Sequence, residues 1–285
     1  MPHELEIIKS TAAMQARARE LRAAGKTIAF VPTMGYLHAG HLSLMEIARE
    51  RGDILVASIF VNPTQFGPGE DLDAYPRDMA RDMALLAEVN ADIVFTPEPD
   101  DIYIPGFETY VALENLPNRL CGLSRPVHFR GVATVVTKLF LIVQPHTAVF
   151  GLKDYQQYVI IKRLVKDLGF DIRILGGPTV REPDGLALSS RNAYLSKAER
   201  ESATCLNRAL AMAAQMVTDG IVESNDIIAR CEAFIKEHPG TRVDYIAIVD
   251  PDSLADVDRI DRPAHMALAV KVGSTRLIDN RRLNE

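Results

Sequence analysis

The chain has no tryptophan, only three cysteines, and no apolar run approaching the length of a membrane span. The missing tryptophan carries no functional signal. Cys121, Cys205 and Cys231 lie far apart, are odd in number and form no Cys-x-x-Cys pair. That argues against a disulfide framework or a zinc site, and reduced thiols in a cytoplasmic protein are expected. No block of lysine and arginine stands out, and the formal net charge is -6. A nucleic-acid partner is therefore not expected, and small-molecule substrates are favoured. The opening Met1-Pro2-His3-Glu4-Leu5-Glu6 lacks a basic segment followed by an apolar core. Neither a signal peptide nor membrane association is expected.

What is present fits a globular protein: 285 residues, of which 47% are hydrophobic and 25% charged. That length suits one large domain and a smaller one. Apolar runs at 27–31, 54–60, 92–95, 147–150 and 170–175 read as buried strands. Helical patterns at about 10–24, 42–51, 77–90, 131–143 and 155–168 separate them, and 109–113 reads as a short extra strand. The alternation predicts an α/β fold with a Rossmann-like, doubly wound parallel sheet over residues 1–178. After Gly176-Gly177-Pro178 the texture changes. Helical patterns at about 197–218 and 223–237, then apolar runs at 243–249 and 266–272, predict a smaller α+β C-terminal lid domain over 179–285.

The most informative stretch is Val31-Pro32-Thr33-Met34-Gly35-Tyr36-Leu37-His38-Ala39-Gly40-His41. It follows the first buried strand and opens a helix. His38 and His41, three apart, share a face there, and a helix N-terminus favours anionic groups. Gly40 lets a nucleotide approach the backbone. The expected task is phosphate contact and charge stabilisation during attack at an α-phosphate. A metal would need a third ligand, and none is evident nearby.

Other polar clusters fall at strand ends, where open parallel sheets bind ligands. Asn62 and Gln65 follow the second long strand, and Lys153, Asp154, Gln156 and Gln157 follow the strand ending near Gly151. The stretch Leu188-Ser189-Ser190-Arg191-Asn192 can hold phosphates through two hydroxyls and a guanidinium. Taken singly, a polar turn, a surface ion pair and solvated amides explain these clusters as well; their convergence favours a nucleotide site. Glu70-Asp71-Leu72-Asp73 lacks calcium-loop spacing and reads as a solvated loop. At this level a nucleotidylyltransferase and a non-catalytic nucleotide sensor remain open beside an adenylate-forming enzyme.

In sequence order, the chain carries Pro-Thr-Met-Gly-Tyr-Leu-His-Ala-Gly-His at 32–41, Ser-Ile-Phe-Val-Asn-Pro-Thr-Gln-Phe at 58–66 and Glu-Asp-Leu-Asp-Ala-Tyr-Pro-Arg at 70–77. His-Phe-Arg-Gly-Val at 128–132, Lys-Asp-Tyr-Gln-Gln at 153–157 and Asp-Gly-Leu-Ala-Leu-Ser-Ser-Arg-Asn at 184–192 complete the set. By these motifs it resembles the pantothenate synthetases, or pantoate–β-alanine ligases. The resemblance implies ATP-dependent condensation of (R)-pantoate with β-alanine through a pantoyl adenylate, releasing pyrophosphate and AMP. It implies Mg2+ accompanying ATP as substrate, and a homodimer. Met34 to His41 would line the ATP site, with His41 as proton donor and His38 as its phosphate-contacting companion. Gly151, Leu152, Lys153 and Asp154 would form the adenosine and phosphate loop, and Val180 a backbone contact to adenine. Leu188 would lead into Ser189, Ser190 and Arg191, which hold phosphate. Lys153 and Arg191 would join the two histidines in catalysis. Gln65 and Gln157 would bind pantoate, with Gln65 also bordering β-alanine. Asp82 becomes a magnesium candidate. Leu152 stands where the family commonly has Glu; if that Glu only shapes the loop, activity should survive.

Overall fold

Short apolar runs closed by Gly-Asp and Asn-Pro breakers cannot continue as helices, and they pair as strands. The computed structural model describes residues 5–284; residues 1–4, on which the reading of the N-terminus partly rests, lie outside the described residues. In chain order come β1 (Glu6–Ile8), α1 (Thr11–Ala23), β2 (Ile28–Thr33), α2 (Ala39–Arg49), β3 (Ile54–Ile59), α3 (Met79–Glu88), β4 (Ile93–Phe95) and α4 (Pro99–Ile102). Then follow α5 (Cys121–Ser124), α6 (His128–Val143), β5 (Thr147–Gly151), α7 (Tyr155–Asp167) and β6 (Arg173–Gly177). The last elements are α8 (Lys197–Ala203), α9 (Cys205–Thr218), α10 (Ser224–Lys236), β7 (Thr241–Val249), β8 (His265–Val272) and β9 (Thr275–Arg282).

Two compact units result. The first comprises residues 5–114, 125–152 and 160–178, and the second comprises 115–124, 153–159 and 179–284. Residues 115–124 and 153–159, which precede position 178, thus group with the C-terminal part of the chain.

The first unit holds the expected doubly wound parallel sheet, in the order β1-β4-β3-β2-β5-β6. From β2 the chain winds one way through β3 and β4, and the other way through β5 and β6. The order reverses between β2 and β5, the place where such sheets bind ligands. Ile28, Ala29, Phe30 and Val31 are fully buried, as a central strand covered on both faces requires. Pro32 is tolerated in this central strand because of where it falls. Near β2 the carbonyls of Thr27 and Thr33 accept from β3 residues or their neighbours, whereas Ile28 O accepts from His146, next to β5. Even-numbered residues therefore face β5, and so does the N–H that Pro32 lacks. The β2–β5 ladder has already ended at Phe30 opposite Ala148, so the proline costs no ladder bond.

The second unit is an antiparallel β7-β8-β9 sheet with α9 and α10 against it. Its core joins Leu206, Leu210, Ile227 and Ile235 to Leu268 and Val270.

Some expectations change. Residues 109–113 form no strand; Val111 N–H donates instead to the Thr134 hydroxyl of α6. The pattern at 197–218 is two helices, interrupted at Thr204, whose hydroxyl donates to Glu201 O. The short edge strand β1 and the whole of β9 were not expected. β9 follows a two-residue link opened by Gly273 at φ +58.

Candidate functional site

The histidine motif is shaped by its backbone before its rings matter. Gly35 and Tyr36 both adopt positive φ, at 80° and 51°. This turns the amides of Tyr36 and Leu37 inward, where they donate to the Asp82 carboxylate at 2.8 and 2.7 Å. His38 then caps α2 from extended geometry. Its Nδ1 accepts from Gly40 N–H at 3.1 Å, and His41 Nδ1 accepts from His38 N–H at 3.3 Å. The two rings lie 4.0 Å apart, centroid to centroid. Because each Nδ1 accepts, each neutral ring carries its proton on Nε2. The pair therefore offers two Nε2–H donors at the positive end of a helix dipole, suited to phosphate oxygens.

Gln65, in the short 3-10 turn at 63–65, is 8% exposed. Its Oε1 accepts from Asn62 Nδ2 at 3.0 Å, and its Nε2 faces Met34 Sδ at 3.1 Å. The Asn62 carboxamide is itself fixed. Tyr103 OH donates to Oδ1 at 2.7 Å, and Nδ2 also donates to Gly131 O at 3.2 Å. Burial pushes the Tyr103 phenol up to about 12, so it keeps the proton it donates. The Gln65 carbonyl accepts from Arg125 at 3.4 Å and lies 2.9 Å from His128 Nδ1. Glu70 is no solvated loop residue. Burial opposes its charge, but Arg125, 2.6 Å away, outweighs burial and holds the carboxyl below its usual range.

In the second unit, Lys153 Nζ lies 3.9 Å from Asp154. The Lys153 carbonyl accepts from Asn280 Nδ2 at 2.8 Å, and Asn280 Oδ1 accepts from His265 Nε2 at 2.9 Å. His265 stacks on Tyr155 at 3.7 Å, and burial pushes its imidazole down to about 4, so it is neutral. Gln156 and Gln157 separate clearly. Gln156 is buried and spends its amide on Cys121 N–H and the carbonyls of Leu116 and Arg119. Gln157 is half-buried and makes no side-chain hydrogen bond among the described residues. Val180 and Leu188 face each other across a small hairpin, with Leu188 N–H donating to Val180 O at 3.0 Å. Arg181 is consumed by a bidentate pair with Asp279, at 2.7 and 2.9 Å. Ser189 caps the 3-10 turn Ser190–Tyr194, accepting from Arg191 N–H at 3.3 Å.

The magnesium expectation does not fit. Asp82 is 1% exposed and both its oxygens accept backbone amides. Among the described residues no group of three or more His, Cys, Asp or Glu side chains is arranged to hold a metal.

The family model for pantoate-beta-alanine ligase matches residues 6–282. The chain belongs to the pantoate–β-alanine ligase family. It is 59% identical over 277 residues to the pantothenate synthetase of Desulfatibacillum aliphaticivorans, covering 97% of this chain and 99% of that protein. It is 54% identical over 284 residues to the one from Geobacter sulfurreducens, covering 99% of each. The crystal structure of the Thermus thermophilus enzyme matches with a TM-score of 0.93 at 44% identity, over 98% of this chain and 100% of that one. That of the Francisella tularensis ligase, complexed with beta-gamma ATP and beta-alanine, matches with a TM-score of 0.83 at 33% identity, over 98% of each chain.

Within this ligase, the sequence pointed to candidate groups on loops but not to the buried residues that hold them. Asn62 stood out as a polar strand-end residue beside Gln65, but not as the group that fixes the Gln65 amide. Nothing marked Tyr103 or Asn280, because a buried hydrogen-bond partner far along the chain leaves no local pattern. Asp82 was singled out, but not for the two backbone amides it accepts.

Proposed function

We propose that this ligase condenses pantoate with β-alanine at the expense of ATP. A pantoate carboxylate oxygen attacks the α-phosphorus, the bond to the β-phosphate oxygen breaks, and pyrophosphate leaves. The β-alanine amine then attacks the acyl carbon of the pantoyl adenylate, AMP departs, and the amide forms as the amine gives up its proton. Such chemistry needs no protein nucleophile, only positioning and charge stabilisation.

The observation that carries this reading is the histidine pair, in which both Nδ1 atoms accept backbone amides and each ring therefore bears its proton on Nε2. In this scheme His38 and His41 stabilise charge on the α-phosphate as it becomes five-coordinate, and His41 serves as proton donor. Lys153 and Arg191 supply cationic charge to the departing pyrophosphate, with Ser189 and Ser190 beside Arg191 and Leu188 leading in. Met34 to His41 and Gly151 to Asp154 form the nucleotide loops, and Val180 contributes backbone to adenine. Gln65 and Gln157 bind pantoate. Fixation of the Gln65 amide by Asn62 supports its part, because a locked carboxamide selects one arrangement of donor and acceptor. Magnesium enters with ATP, and no step is assigned to a protein-held ion. The working form is a cytoplasmic homodimer.

Pantoate-dependent ATP–pyrophosphate exchange tests the proposal. Exchange is expected only with pantoate present, and condensation should release free AMP. Equal exchange without pantoate would sink the substrate assignment. A stable adenylylated product would identify a nucleotidylyltransferase, and tight ATP binding without turnover on any acid would identify a sensor.

A further inference from the structure

Three consecutive amides leave the turn after β2. Tyr36 and Leu37 N–H donate to Asp82, and His38 N–H donates to His41 Nδ1. The first two therefore set the direction of the third. Gly35 and Tyr36, at φ 80° and 51°, curl the backbone into a nest of inward amides, the form that ordinarily binds an external anion. Here the anion is built into the chain. A Cβ on Gly35 would lie 3.0 Å from Asp82 Oδ2 and 2.9 Å from Ile59 Cγ2, so the turn is closed tightly over the carboxylate.

Asp82 sits in the first turn of α3, where the helix dipole favours its charge, and Asp78 caps that helix through Arg81 N–H. From the same turn Arg81 lies over the Tyr36 ring, 5.2 Å from its centroid. α3 thus grips the turn at both its backbone and its aromatic ring. A cation on Asp82 would have to share a carboxylate already used twice, at a buried position that joins no three-ligand cluster among the described residues.

We propose that Asp82 is a positioning residue for the reaction and not a magnesium ligand: its buried carboxylate fills the Tyr36–Leu37 amide nest and thereby fixes where the His38 and His41 imidazoles stand. The inference rests on the phosphate-binding reading of those two histidines. It acts through the His38 amide, whose direction keeps the His41 proton on Nε2.

The test compares wild type with Asp82→Asn, which keeps the shape but turns an NH2 group toward one of the two amides. The kcat of pantoate-dependent exchange should fall about 10- to 100-fold, the cost of misplacing reacting groups by roughly 1 Å. The free Mg2+ concentration giving half-maximal rate should stay unchanged. Nitrogen NMR of labelled histidine should show His41 passing from the Nε2–H tautomer to a mixture. An unchanged kcat would overturn the proposal. So would a rise of about tenfold or more in the Mg2+ requirement, a loss of the size seen when metal sites are disturbed, with the His41 tautomer unmoved. Should D82N fail to fold, Mn2+ titration of the wild-type protein without nucleotide decides. Saturable broadening of the Tyr36 and Leu37 amide signals would assign a metal to Asp82; absence of broadening supports the built-in anion. The NMR readouts need no substrate, so they stand even if the acid proves not to be pantoate.

Discussion

α6 passes the turn that carries Gln65 at a separation only glycine allows. In Gly131→Ala the new methyl would lie 2.4 Å from Thr64 O and 2.6 Å from Gln65 N, whereas ordinary contact begins at 3.4 Å. Helix and turn must therefore separate by about 1 Å. Both crowded atoms belong to the backbone, and no side chain can swing aside to relieve them. Alanine gains about 1 kcal/mol of helix propensity over glycine. Overpacking a close-fitted interior costs about 1–3 kcal/mol, and contact with a rigid backbone sits at the upper end. The clash wins, and the variant should lose roughly 1–2 kcal/mol of stability. The functional effect should be larger than the stability effect. Asn62 Nδ2 bridges Gln65 Oε1 and Gly131 O, so the movement reaches the Gln65 amide directly. A positioning error near 1 Å can cost up to about 100-fold in rate. Urea unfolding would give the stability change. Exchange assays at varied pantoate and varied ATP would give the two specificity constants, and kcat/KM for pantoate should fall more than that for ATP. A variant as stable as wild type with unchanged pantoate use would refute the argument that this crossing positions Gln65.

His41→Ala should lower exchange by about 100- to 1000-fold, the usual loss for one preorganised donor, with a wild-type circular dichroism spectrum. Normal exchange would remove His41 from the mechanism. Gln65→Ala should raise the KM for pantoate while leaving ATP binding, measured calorimetrically, near wild type; equal losses on both would contradict its assignment. His265 makes a pH prediction. Burial holds its pKa near 4 against 6.5 for an unperturbed imidazole. Between those values the unfolded chain binds a proton that the folded chain does not. Stability from this site is complete above about pH 6.5 and falls as the pH drops toward 4, by about 3 kcal/mol in all. His265→Phe, which retains a ring against Tyr155, should flatten that part of the stability profile, and an unaltered slope would disprove the linkage.

The central strands of the first unit's sheet were legible because they are buried on both faces. Ile28 to Val31 and Leu55 to Ala57 are continuous apolar runs, and nothing else of that length fits a run bounded by breakers. The candidate ligand-binding groups stood out for a related reason: they cluster at strand ends, where the fold leaves loops. Gln156 and Gln157 mark the limit of such reading. Adjacent and chemically identical, they differ only in that Gln156 meets Cys121, Leu116 and Arg119, partners more than thirty residues earlier in the chain. Asp82 shows the same limit, because its amide partners Tyr36 and Leu37 lie more than forty residues earlier in the chain. A carboxylate near a nucleotide loop looks like a metal ligand until the two amides that occupy it are seen.

β9 shows why supporting groups hide their own secondary structure. A half-buried strand announces itself by alternating apolar and polar residues, but Asp279 and Asn280 are consecutive, polar and both buried. Each is turned to a separate loop. Asp279 takes the Arg181 guanidinium at the root of the Val180–Leu188 hairpin, and Asn280 takes the Lys153 carbonyl with His265 behind it. Two neighbouring residues on one rigid strand thus hold two loops to which phosphate and adenine contacts are assigned. Loops alone place groups loosely, and anchoring them to a common strand limits how far they move independently. The polarity that conceals β9 from a hydropathy pattern is the polarity that lets it grip both loops. Its surrounding apolar residues, Leu277 among them, serve the core of the second unit and account for little of what the strand does for the site.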